Sequence, residues 1–326
     1  MSDRGHHRRR RRGNRRSRFA ATTVLITAVV ICLAAILTQG WMPTASSAKQ
    51  AAAVKTSQPA QFYELPPTPK PTPKPKPKPK PTPTHTRAVT PTPAGPPPGD
   101  WTLEFDDEFS GTSLDTAKWS TGWGGGSGIT PPVNDSEDDC YDPAQVAEGG
   151  GALSLTLIRK SENCGISAQY ATGLISTDGK FNFTYGFIQA RVWLPGAPGN
   201  PDYVANWPGV WTDGQNWPQD GEIDIAEGIS GNECAFFHNG ATVNQALSPG
   251  GGNGCPGGIY TEGWHTFAAN WEPGIITWYY DGVDIGSVTS GVTSAPMFLI
   301  LDYDAQPPVH APDTMEVDYI RVWQHP

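Results

Sequence analysis

Basic residues are scarce over most of this chain. Residues 100–326 carry 6 Lys and Arg against 30 Asp and Glu, a net of −24. A surface that acidic repels phosphate and sulfate, which argues against nucleic acid and polyanionic polysaccharides as partners of this part. Cysteine is sparse too, five in 326 residues. No paired Cys or His spacing accompanies them, which argues against a zinc site. No stretch of 100–326 sustains a helical period, so an α-helical core is excluded.

The positive charge lies at the other end. Residues 1–99 hold 17 Lys and Arg against 2 Asp and Glu, which returns the whole chain to −9. Residues 1–18, with "RGHHRRRRRGNRRSR", form a basic arm directly before the uncharged run Phe19 to Leu37. Nineteen residues of helix span about 28 Å, close to the hydrocarbon thickness of a bilayer. A basic cluster before such a run marks the cytoplasmic side. Residues 19–41 therefore read as a transmembrane signal anchor, or as a signal peptide cut near "TASSAK". Either version sends the remainder outside the cytoplasm, membrane-anchored or secreted, with membrane contact through residues 19–37 if uncleaved. Residues 42–99 form a linker rich in Pro, Lys and Thr. Proline at nearly every second position of 66–98 removes amide donors and prevents a packed core. It leaves a semi-rigid spacer of about 3.1 Å per residue.

Residues 100–326 form the one domain with enough apolar residues for a sizeable core. Short alternating runs recur. "ALSLTLI" puts Leu153, Leu155 and Leu157 on one face, and "YGFIQARVWL" puts Ile188, Ala190, Val192 and Leu194 on one face. Pro273-Gly274 separates two further runs, and Asp281-Gly282 is a hairpin signal. Many short strands between Gly/Pro turns predict an all-β sandwich or barrel. Cys140, Cys164, Cys234 and Cys255 in an exported domain predict two disulfides. Of three pairings, the local choice is Cys140–Cys164 with Cys234–Cys255.

The stretch "QDGEIDIAEG" is a poor strand unless its acids have a use. Glu222 and Asp224 share a face by parity, with Ile223 and Ile225 opposite. Glu227 has the wrong parity, and one extra residue near Ala226, a β-bulge, would return it to the acidic face. Two long carboxylates flanking one ligand suit glycoside hydrolysis: one nucleophile, one acid/base, with Asp224 hydrogen-bonded to the nucleophile. Crowding supports this, because like charges push a carboxyl pKa up until it can serve as an acid. A calcium loop would alternate acids with Gly and small polar residues rather than Ile. Eleven of the 12 Trp follow residue 100. Indoles stack on sugar rings, and Trp207 and Trp211, just upstream of the acids, are assigned to a cleft. Trp101, Trp264, Trp278 and Trp323 are assigned to the core.

"GEIDIAE" resembles the active-site signature of glycoside hydrolase family 16 in its bulged E-x-D-x-x-E form. Similar stretches run in order through "LEFDDEFSGTSLDTAKW", "YATGLISTDGKFNFTYGFIQARVWLPG", "NWPGVW", "GWHTFAANWEPGIITWYYDG" and "MEVDYIRVWQ". The resemblance implies a β-jelly-roll with a concave substrate cleft and a retaining double displacement. It implies Glu222 as nucleophile, Asp224 as helper and Glu227 as acid/base. It implies substrate contacts at Asn134, Glu137 and Tyr141 in "NDSEDDCYDP" and at His238 in "FFHNG". No cofactor is implied for the chemistry. Many members carry a structural calcium, and Glu108 and Asp318 match its ligand positions. Two departures stand out. Laminarinases of the family usually have Arg where this chain has Leu174, and Asn where it has Asp302. The expectation is a monomeric, extracellular retaining endo-β-glucanase acting on a neutral glucan, β-1,3-linked. The alternatives are a transglycosylase of the same family and a non-catalytic glucan-binding module.

Overall fold

A computed structural model describes residues 95–134, 136–240, 255 and 260–326. The basic arm, the apolar run and nearly all of the linker lie outside the described residues. Among the described residues no helix is long and apolar enough to cross a membrane.

The strands run in chain order as follows. The first group is β1 (Thr102–Asp107), β2 (Asp139–Tyr141), β3 (Val146–Gly149), β4 (Ala152–Asn163), β5 (Ser167–Thr172) and β6 (Leu174–Ser176). Next come β7 (Gly186–Leu194), β8 (Gly196–Ala197), β9 (Asn200–Val204), β10 (Trp207–Gly214), β11 (Glu222–Ile229) and β12 (Asn232–His238). The last are β13 (Gly263–Glu272), β14 (Ile275–Tyr280), β15 (Val283–Val288), β16 (Met297–Asp304) and β17 (Asp313–Gln324).

They form an all-β sandwich. One sheet has the order β15-β14-β13-β7-β17-β4-β5-β2, with β1 beside β17 and β3 beside β4. The other has the order β12-β11-β10-β16-β6. Pairing is antiparallel apart from the short parallel contact of β2 with β5. Alternation makes the layers. Leu153, Leu155 and Leu157 of β4 and Ile188, Ala190 and Val192 of β7 are fully buried, as predicted, against Ile223, Leu299 and Leu301 of the second sheet. The two predicted turns close hairpins: Pro273-Gly274 joins β13 to β14, and Asp281-Gly282 joins β14 to β15. Asp281 and Gly282 both have positive φ, 48° and 78°, the primed-turn geometry that matches strand twist.

The other face of β7 departs from the simple pattern. Phe187, Gln189 and Arg191 are buried there as well. β7 is flanked by β13 and β17, and their outward aromatics cover it. Arg191 lies 4.9 Å over Trp264 and pairs with Asp318 at 2.8 Å. Phe187 packs against Trp101, Tyr279 and Trp323. Trp101, Trp264 and Trp323 are therefore half-buried covers of this face, not core, and only Trp278 of the four is a core residue.

The two carboxylates matched to the calcium positions each pair with an arginine. Asp318 is committed to Arg191, and Glu108 chelates the Arg321 guanidinium through both oxygens, at 2.6 and 2.8 Å. The two disulfides pair as the local choice, Cys140–Cys164 and Cys234–Cys255.

Candidate active site

The site is built on β11, and its bulge is present. Across to β12, Asp224 faces Phe236 and Glu227 faces Cys234, so two residues, Ile225 and Ala226, oppose the single Ala235. The pairing with β10 shifts at the same place, between Val210 and Trp211. Both bulged residues stay buried, at 2 % and 1 % exposure, because they point into the core. Glu222, Asp224 and Glu227 consequently all line one cleft. The bulge carbonyl of Asp224 accepts a hydrogen bond from Trp278 Nε1 at 2.8 Å, across the core from β14. An outer-sheet tryptophan thus anchors the irregular backbone beneath the acids.

Neighbouring strands furnish the rest. Trp207 and Trp211 of β10 line the cleft, as predicted, and each donates to an acid. Trp207 Nε1 lies 2.9 Å from Glu227 Oε1, and Trp211 Nε1 lies 2.8 Å from Asp302 Oδ2. Between them Gly209 carries no side chain, and none would fit: a Cβ there would stand 2.1 Å from Asp302 Oδ1. Asn206, with φ +57°, aims Trp207 into the cleft, its side chain bonded to Tyr303 and to the His310 backbone. Trp217 donates to Glu222 Oε2 from the exposed rim.

Of the residues implied around the acids, Asn134 and Glu137 line the cleft and bond to each other. Tyr141 does not line it. Tyr141 is fully buried behind Glu137 and donates to Glu137 Oε2 at 3.2 Å, so it supports a cleft residue. His238 stands beside the acids rather than among the lining residues, with Nε2 3.3 Å from Asp224 Oδ2 and 3.8 Å from Glu222 Oε1. Sequence reasoning assigned no role to Trp123, Asp213, Trp217 or Asp304, which also line the cleft. Cleft-facing parity with Trp207 and Trp211 on β10, and with Asp302 on β16, is the signal that could have found Asp213 and Asp304. Leu174, at the position usually Arg, faces Asp302 in register and joins a small apolar cluster with Tyr141, Trp211, Phe298 and Ile300.

Burial, with charge crowding second at Glu222 and Asp224, raises the carboxyls of the site. Burial, then Asp224, pushes the Glu222 carboxyl well above its usual range, and His238 opposes the shift. Burial, then Glu227, does the same to Asp224. Asp224 and Glu222 share a hydrogen bond, so one proton held between them relieves the repulsion of the pair. Burial raises Glu227 to about 7, with the Trp207 hydrogen bond acting against it. A carboxyl with that value can release and retake a proton near neutrality.

A family model described as "XgeA-like, catalytic GH16 domain" matches residues 186–246, which include the whole of β11. Glucan endo-1,3-beta-glucosidase A1 of Niallia circulans is 29% identical over 278 residues, covering 71% of this chain and 39% of that protein. The laminarinase catalytic domain of Thermotoga petrophila superposes with a TM-score of 0.55 at 26% identity, covering 69% of this chain and 98% of that one. The chain belongs to glycoside hydrolase family 16. Keratan-sulfate endo-1,4-beta-galactosidase of Sphingobacterium multivorum is also similar, 27% identical over 253 residues, covering 70% of this chain and 56% of that protein. The chain thus spans less than two thirds of the length of these curated relatives. As a family 16 domain, it needs no cofactor for the acid/base and nucleophile roles that its carboxyls can fill.

Proposed function

We propose that residues 100–326 are a retaining endo-β-glucanase acting on a neutral, β-1,3-linked glucan outside the cytoplasm. The observation that carries this is the bulged β11, which turns Glu222, Asp224 and Glu227 onto one cleft between Trp207 and Trp217. In the first step a Glu222 oxygen attacks the anomeric carbon while Glu227 protonates the departing glycosidic oxygen. In the second, Glu227 takes a proton from water, the water oxygen bonds to that carbon, and the Glu222 ester breaks. Asp224, hydrogen-bonded to Glu222, stabilises the carboxylate that Glu222 regains when the ester breaks.

The β-1,3 linkage is supported by the printed activity of the Niallia relative and by the laminarinase likeness. The neutral substrate rests on charge, because the cleft is lined by seven carboxyls and no lysine or arginine. Residues 19–41 would deliver the domain across the membrane, and the Pro-rich linker would hold it off the surface if the segment is retained.

The test is product analysis on laminarin, mixed-linkage glucan, xyloglucan, agarose and keratan sulfate, combined with azide rescue. Glu227→Ala should lose activity on natural glucan, yet still form the glycosyl-enzyme from an activated aryl glycoside and yield a β-azide. Glu222→Ala should yield an α-azide by direct displacement. General-acid loss alone should cost about 10²–10⁴-fold. Products longer than the substrate would instead identify a transglycosylase. Fastest cleavage of keratan sulfate, at low salt, would refute the charge argument.

A further inference from the structure

Beyond the three catalytic carboxyls lies a second group of buried acids that takes no part in the double displacement. Glu137 and Asp139 come from the segment leading into and along β2, and Asp304 is the last residue of β16. One oxygen of each lies within 4.8 Å of the others. All three are buried, at 6 %, 0 % and 4 % exposure. Some of their oxygens are already occupied. Glu137 Oε2 accepts from the Val133 amide at 3.0 Å, and Asp139 Oδ2 accepts from the Ala305 amide. Oδ1 of Asp139 and Oδ1 of Asp304 are buried without any hydrogen-bond partner.

Such oxygens are costly. A buried carboxylate without a partner forfeits its hydration, and three together add mutual repulsion. Neutralisation does not come from the chain. Among the described residues no lysine or arginine pairs with any of the three, and the sequence has neither type between Arg191 and Arg321.

We propose that Glu137, Asp139 and Asp304 bind a divalent cation, calcium in preference to magnesium. Two oxygens bound to one calcium at about 2.4 Å each can stand no more than about 4.8 Å apart, which the three oxygens satisfy. An all-oxygen donor set selects hard cations over zinc or copper. Calcium tolerates irregular coordination by carboxylates from separate parts of the chain, whereas magnesium demands near-octahedral geometry. Glu137 and Asp304 line the cleft, so the ion enters from there. Once bound, it ties the segment before β2 to β16, strands that share no backbone pairing. It would thereby hold two cleft-lining residues together, on the segment that also carries the Cys140–Cys164 disulfide. This site is separate from Glu108 and Asp318, which are held by arginines.

The inference does not depend on the hydrolase reading, and its test reads binding, not activity. The full chain, stripped with a chelator, is melted at pH 8 with and without calcium chloride, and titrated with terbium, whose luminescence nearby tryptophans sensitise. The wild type should melt higher in calcium and bind terbium. Asp139→Asn and Asp304→Asn should each lose the melting shift and weaken terbium binding by about tenfold or more. Glu108→Gln should keep both. No response in the wild type would overturn the proposal, leaving a cluster that only shares protons. An equal response in the two Asp variants would also overturn it, placing the ion elsewhere. If neither variant folds, anomalous scattering from a terbium-soaked wild-type crystal decides. A peak between the three carboxylates supports the site, and its absence there refutes it.

Discussion

At the scale of single residues, the site turns on how one hydrogen bond tunes one acid. Burial alone would carry Glu227 higher than about 7, and the Trp207 N–H pulls it back by favouring the anion. Trp207→Phe keeps most of the ring and removes that donor. The alkaline limb of the kcat/KM profile reports loss of the acid's proton. It should therefore move to higher pH in the variant, while the peak rate falls. An unmoved limb would show that Trp207 contributes only stacking. Much of this scale was legible in sequence, because side-chain type at a given parity announces chemistry. What was not legible was partnership. Nothing in the spelling of "LDYDAQPP" says that Asp302 meets Trp211, or that Asp304 meets Glu137 and Asp139 from a segment some 165 residues away. Those pairings depend on the order in which strands enter the sheets.

At the scale of elements, the bulge in β11 is the feature on which the acids depend. Its position could be read from parity: E-x-D-x-x-E places the third acid out of phase by one, and one extra core-facing residue restores it. The support beneath it could not be read, because Trp278 sits on a strand of the other sheet and registers in the sequence only as a core aromatic. Trp101, Trp264 and Trp323 cover the outer face instead of entering the core for a related reason. Parity marks two faces of a strand, yet a sheet this wide also covers its outward face with rings. Trp278→Phe removes the donor to the Asp224 carbonyl and leaves a buried acceptor unpaired. The expected cost is about 1–3 kcal/mol of stability. Because the carbonyl belongs to the bulge, kcat should fall more than KM rises. A loss of stability with unchanged kcat would mean the bulge holds without its anchor.

At the scale of the whole molecule, an acidic domain with buried carboxyls should respond to pH in a definite direction. Burial raises Asp213 to about 7 and lifts Glu233 well above its usual range, with both Glu233 oxygens lacking hydrogen-bond partners. Their folded values exceed the unfolded ones, so the folded state holds more protons between about pH 4 and 7. Stability is then greatest below the unfolded values and is lost as pH rises through about 7. In calcium-free buffer the melting temperature should fall from pH 5 to pH 8, and a rise would contradict these assignments. The central claim, that Glu222 and Glu227 perform a double displacement, is tested most directly by following the anomeric proton signal during the first minutes of wild-type hydrolysis of a β-glucan oligosaccharide. The account predicts that the β-anomer appears first and the α-anomer only later, by mutarotation. An initial α-anomer would mean inversion, and would contradict the role of Glu222 as a nucleophile.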